Sequence, residues 1–114
     1  MTQNNLGAAL KEQGICTGGE EGHALLAQAV EAYRLALEVH TREQLPQSWA
    51  MTQHNLGNTL SQLGKYDHNA EMLREAEIAV QAAYAFYIGA GYTYYAEYFE
   101  NKLSEIRQLL GELK

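Results

Sequence analysis

Two stretches of the chain place their largest side chains at steps of three and four residues. Trp49, Gln53, Leu56, Leu60 and Leu63 fall on one face of a helix. Tyr95, Phe99, Leu103, Ile106, Leu110 and Leu113 fall on one face of another. This is the 3.6-residue period of an amphipathic helix. No segment alternates with period two, so no strand is expected. Breaks in the pattern mark the ends. Gly14 and Gly64 are expected to take the left-handed conformation that stops a helix. Gly18, Gly19 and Gly22 mark a connector, Pro46 with Ser48 a helix start, and Gly89-Ala90-Gly91 a separator. The pattern predicts helices near 1–13, 22–41, 47–63, 69–88 and 92–112.

The first ten residues, Met1 to Leu10, recur as Met51 to Leu60 with seven of ten positions identical. A second motif follows each copy: Ala29, Tyr33 and Ala36 are matched by Ala76, Val80 and Ala83, 47 residues on. Leu103, Leu110 and Gly111 repeat Leu56, Leu63 and Gly64 at the same offset. The order is A-B-A-B-A. A single helical hairpin leaves an apolar face uncovered, and stacking hairpins covers it.

The Leu6-Gly7 and Leu56-Gly57 pairs, each followed by a Leu three residues later, and the Ala29-to-Tyr33 step resemble tetratricopeptide repeats. The Asn-Leu-Gly phrase and long period are most similar to kinesin-light-chain-like repeats of bacterial multi-repeat proteins. Gln3 and Gln53 stand where that family often has Trp. The periods of 50 and 47 exceed its usual length of about 34 residues. The resemblance implies an all-α solenoid of one domain, 1–114: repeat one at 1–46, repeat two at 47–91, and a terminal capping helix at 92–114. It also implies a protein-interaction module rather than an enzyme, with a peptide or protein partner on the concave surface of the A helices. The residues that surface would present are Asn4, Asn5 and Lys11, then His54, Asn55, Asn58, Ser61 and Gln62, then Asn101 and Lys102. Asparagine amides both donate to and accept from a peptide main chain. The same amides also suit a solvated face or bonds between repeats. A carboxylate clamp of the family's kind wants Lys where Asn4 and His54 stand.

Charge narrows the picture. The chain carries a net charge of −6 with eight Lys and Arg, scattered along its length. Nucleic acid, which requires clustered cations, is a poor partner. Cys16 is the sole cysteine, which rules out an internal disulfide and fits a reducing cytoplasm. No run approaches the roughly 18 apolar residues of a membrane span. No cofactor or metal is expected. Glu20 and His23 have Glu-x-x-His spacing, but di-iron bundles need two such pairs and two further Glu. Cys16 has no base at a recognisable spacing. Tyrosines crowd residues 84–98, and Tyr94 and Tyr98 are the ones expected to form an exposed interface, with Tyr95 and Phe99 joining the buried stripe. A second function class remains open, a structural segment of a longer array. The first copy lacks the Trp49-Ala50 turn that precedes the second, so cover from a further repeat or a homodimer is also expected.

The inner stripe makes a direct prediction. Leu56→Ala is expected to cost about 2–5 kcal/mol, as a buried truncation does. Chemical denaturation followed by circular dichroism measures this, and an unchanged midpoint contradicts the register assigned to that helix.

Overall fold

The computed structural model describes residues 3–39 and 41–113, the side chain of Asn4 excepted. Among the described residues five α-helices follow one another: α1 (Gln3–Thr17), α2 (Gly19–Val39), α3 (Pro46–Asp67), α4 (Ala70–Gly89) and α5 (Ala96–Glu112). A 3-10 turn at Thr93–Tyr95 precedes the last. No strand occurs among the described residues. Each helix packs mainly on its neighbours in sequence, and α1 only grazes α3. The radius of gyration is 13.7 Å, close to that of a globular domain of this length.

Local chemistry sets the helix ends. Pro46 opens α3, where its missing N–H costs nothing. Asn69 caps α4 by accepting from the Met72 N–H at 3.1 Å. Gly18 and Gly19, at φ +68° and +61°, make the turn from α1 to α2. His68, at φ 51°, ends α3, and the Asn69 N–H reaches back to the Gly64 carbonyl at 2.9 Å.

Gly14 and Gly64 therefore do not end their helices as expected. Both lie inside, at points where a second helix presses on the backbone. A Cβ on Gly14 would meet the Gly22 carbonyl oxygen at 2.8 Å and Leu26 Cγ at 3.0 Å; on Gly64 it would meet Leu73 Cγ at 2.8 Å. Leu26 and Leu73 are 47 residues apart. Further along, a Cβ on Gly7 would meet the Tyr33 ring at 2.6 Å, and one on Gly57 would meet Val80 Cγ2 at 2.6 Å. Tyr33 and Val80 are again 47 apart. The two hairpins thus share one pair of glycine contacts, so the sequence repeat is also a repeat of packing.

The core runs through the middle of this stack. Val30 and Tyr33 of α2 join Leu56, Leu60 and Leu63 of α3, Leu73, Ala76 and Val80 of α4, and Phe99, Leu103 and Ile106 of α5. Because α3 lies between α2 and α4, it is buried over a wider arc than one stripe. Ala50, Thr52 and Thr59 are also buried, whereas Trp49 and Gln53, expected inside, are half-buried. Thr52 and Thr59 satisfy their hydroxyls internally, donating to Ser48 and Asn55 carbonyls at 2.8 Å. Leu6 is 38% exposed although its counterpart Leu56 is 4% exposed, because α1 rests essentially on α2 alone. Tyr33 spans the gap between hairpins. Burial pushes its hydroxyl up to about 12, eased by Thr59 and reinforced by the Glu12 charge. Its approach to Thr59 falls short of a complete hydrogen bond.

At Gly22 an added Cβ would lie 2.5 Å from the Gly14 carbonyl oxygen, a backbone atom that cannot rotate away. Gly22→Ala is expected to destabilise by about 1–3 kcal/mol, even though Ala favours a helix by up to about 1 kcal/mol. Gly111→Ala, where nothing lies within 4 Å, is expected to be neutral or mildly stabilising. Denaturation midpoints of the two variants check the contrast.

Candidate functional site

Turns of α1, α3 and α5 face a common cleft of about 550 Å³. Lys11 comes from α1, and Asn58, Ser61, Gln62 and Lys65 come from α3. From α5 come Lys102, Glu105, Gln108, Leu109 and Glu112. Spacing explains the α3 set: 58, 61, 62 and 65 fall on one side of a helix, opposite the buried face. A helix end at Gly64, which the sequence suggests, leaves Lys65 out of this set. Because α3 continues to Asp67, the outer face gains that amine.

A second cavity adjoins the first. His54, Tyr87, Tyr94, Tyr95, Tyr98 and Phe99 line a cup of about 410 Å³. The 3-10 turn sets its rim and rotates Tyr95 off the α5 stripe, so Tyr95 is exposed rather than buried. Tyr94 is 73% exposed. The rings touch in series: Tyr94 and Tyr95 centroids are 4.4 Å apart, Tyr87 stacks on Phe99 at 5.6 Å, and Tyr98 meets Phe99 edge-on at 5.3 Å. The crowding of tyrosine is legible in the sequence, but the contribution of Tyr87 from α4 depends on the turn geometry.

His54 joins the two cavities. The Tyr98 hydroxyl lies 2.7 Å from its Nε2, and Asn58 Nδ2 lies 3.1 Å from the same atom. An amide nitrogen only donates, so with Asn58 in this orientation Nε2 is an acceptor and the Tyr98 hydroxyl donates to it as well. The imidazole is then neutral with its proton on Nδ1. Its pKa agrees, being lowered to about 4 by burial first and then by the Lys11 and Lys102 charges. Both amines therefore direct their fields at one point from helices on either side of α3.

Apart from Arg74, exposed on α4, the described cations divide into two groups. Arg34 of α2 meets both Glu75 oxygens of α4 at 2.9 and 3.1 Å, Arg107 meets Glu77 at 2.6 Å, and Arg42 lies over the Trp49 ring. The three described lysines, Lys11, Lys65 and Lys102, all line the cleft. Among the described residues Lys11 and Lys65 have no ion-pair partner, and Lys102 has Glu105 at 3.9 Å.

Five of the ten residues expected to bind a partner, Lys11, Asn58, Ser61, Gln62 and Lys102, meet in the cleft. His54 meets Tyr94 and Tyr98 in the cup. Asn5, Asn55 and Asn101 line neither cavity, and the side chain of Asn4 lies outside the described residues. His23 bonds through Nε2 to both Asp67 oxygens at 3.0 Å and serves as a tie between α2 and α3. Among the described residues no three His, Cys, Asp or Glu side chains converge as metal ligands, and no helix is long and apolar enough to cross a membrane. No family model, curated protein or solved structure matches the chain.

His54 gives the site a pH signature. Unfolded, it takes up a proton near 6.5; folded, it stays neutral down to about 4. Its contribution to stability is therefore complete above 6.5 and is lost as pH falls from 6.5 towards 4. The loss is at most about 3 kcal/mol, and water reaching the ring reduces it to nearer 1–2 kcal/mol. The stability of the chain minus that of His54→Gln is expected to fall over this interval and to stay level above about pH 7. Urea midpoints at about pH 7.5 and about pH 4.5 measure it.

Proposed function

We propose that the chain is a binding module of the tetratricopeptide type, not an enzyme, which holds an extended acidic protein segment along the surface shared by α1, α3 and α5. The solenoid reading draws support from the helices packing in chain order and from the glycine contacts that recur between hairpins. The binding reading rests on one observation: all three described lysines, from three helices, line one cleft and outnumber its two carboxylates, Glu105 and Glu112, in a chain whose net charge is −6. Asn58, Ser61, Gln62 and Gln108 supply donors and acceptors for a peptide main chain between them. Lysine heads around such a cleft raise association rates with anionic partners and select against cationic ones.

The test is isothermal calorimetry of the full chain with a blocked peptide containing four consecutive glutamates. Each of Lys11→Ala and Lys102→Ala is expected to weaken binding by about three- to tenfold, as removing a partly exposed charge pair does. Raised salt is expected to weaken the parent more than the variants. A Lys11→Ala/Lys65→Ala/Lys102→Ala triple variant that binds as the parent does refutes the acidic-segment reading. Light scattering without peptide gives a second check: a dimer dispersed by the triple substitution replaces peptide capture with self-association.

A further inference from the structure

The aromatic cup lies one helical turn from the lysine cleft and differs from it in kind. No charged side chain lines it, and none occurs between Ile78 and Ala96, the span that supplies Tyr87, Tyr94 and Tyr95. A carboxylate is drawn past it to the amines of Lys11 and Lys102, whose fields reach His54, and a cation is repelled by the same amines. The aromatic faces themselves suit an uncharged, apolar group.

Hydrogen bonding narrows it further. His54 is the strongest acceptor in the lining, and its Nε2 already receives Tyr98 and Asn58. An ordinary peptide N–H brought into the cup is left to the tyrosine hydroxyls or to water. Proline has no N–H to satisfy, and its ring packs on aromatic faces. Polyproline conformation is also formed in advance, so little ordering entropy is lost in a cavity this open. Aromatic-lined grooves recognise proline-rich segments on these grounds.

We propose that the cup seats a proline-rich stretch of the same segment whose acidic residues lie over Lys11, Lys65 and Lys102, an assignment that rests on the reading of the cleft as a peptide site. The spacing between the two parts follows from α3. Asn58 and Gln62 lie about 6 and 12 Å along the helix from His54 at about 1.5 Å per residue. A polyproline chain advances about 3.1 Å per residue. The acidic residues therefore lie about two to four positions from the nearest proline. His54 stands at the junction, with the Tyr98 hydroxyl on one side and the Asn58 amide on the other.

Four blocked peptides test this by calorimetry on the full chain. The first joins tetraproline to tetraglutamate. The acidic control replaces its prolines with Gly-Ser-Gly-Ser, and the proline control replaces its glutamates with the same neutral stretch. The tryptophan peptide carries Gly-Ser-Trp-Gly ahead of tetraglutamate. The proline–glutamate peptide is expected to bind about tenfold or more tightly than the acidic control, and to shift the tyrosine ring signals in NMR spectra. Tyr94→Ala, at an exposed position that leaves the core intact, is expected to abolish that advantage without changing the affinity for the acidic control. Equal binding of the proline–glutamate peptide and the acidic control overturns the cup assignment while leaving the lysine cleft standing. Binding of the proline control as tight as that of the proline–glutamate peptide supports the cup and removes the cleft. A proline advantage that survives Tyr94→Ala overturns the assignment. Tighter binding of the tryptophan peptide does so in favour of an aromatic side chain. Tyrosine signals that broaden with protein concentration alone overturn it in favour of a second copy of the chain.

Discussion

Close approach of helix backbones at glycine is the constraint on which the rest of this structure depends. Side chains normally hold helix axes about 8–10 Å apart. At Gly14 against Gly22 the separation is set by backbone atoms, with a missing Cβ on each side. At Gly7 and Gly57 the missing Cβ admits a side chain instead, Tyr33 in one hairpin and Val80 in the other. Each first helix is thereby clamped at two places about two turns apart, which fixes its rotation as well as its distance. With that rotation set, the outer residues of α1 and α3 have no freedom in where they point. Lys11 and the Asn58-to-Lys65 face reach the cleft because the glycine contacts fix that rotation.

Charge is partitioned along the same division. The guanidinium groups that pair, Arg34 and Arg107, join helices: α2 to α4 and α4 to α5. A planar fork is suited to carboxylates held at fixed distance. The amines line the cleft, where a flexible, hydrated point charge can follow a mobile ligand. His54 lies between the two behaviours, half-buried yet held neutral by burial and by the amines on either side. Its bonds to Tyr98 and Asn58 join the tyrosine cup to the polar cleft, so the two cavities form one continuous surface.

The repeat, the helical class and much of the core are legible in the residues because they are properties of spacing. Leu56, Leu60, Leu63, Phe99, Leu103 and Ile106 follow the helical period and are buried. Half of the expected partner-binding set meets in the cleft for the same reason, since outer-face residues of a helix share a side wherever that helix lies. The departures are equally specific. Gly14 and Gly64 resemble stops because an isolated sequence cannot distinguish a glycine that ends a helix from one that admits a neighbour. That ambiguity shortens the expected α3 by a turn and hides Lys65. A 3-10 turn in place of an α-turn moves Tyr95 from the stripe to the rim.

The residues alone dictate that this chain is helical, that its hairpins repeat, and which faces are apolar, because periodicity and glycine placement are local quantities. The convergence of the outer faces belongs to the tertiary structure. The gathering of Lys11 and Lys102 on one cleft, the bonding of His54 in the cup to Asn58 in the cleft and the meeting of Tyr87 with Tyr95 all depend on how the helices are stacked. That stacking is set by contacts between residues far apart in the chain, such as Tyr33 with Gly7 and Val80 with Gly57. No local spacing encodes the angle at which they meet.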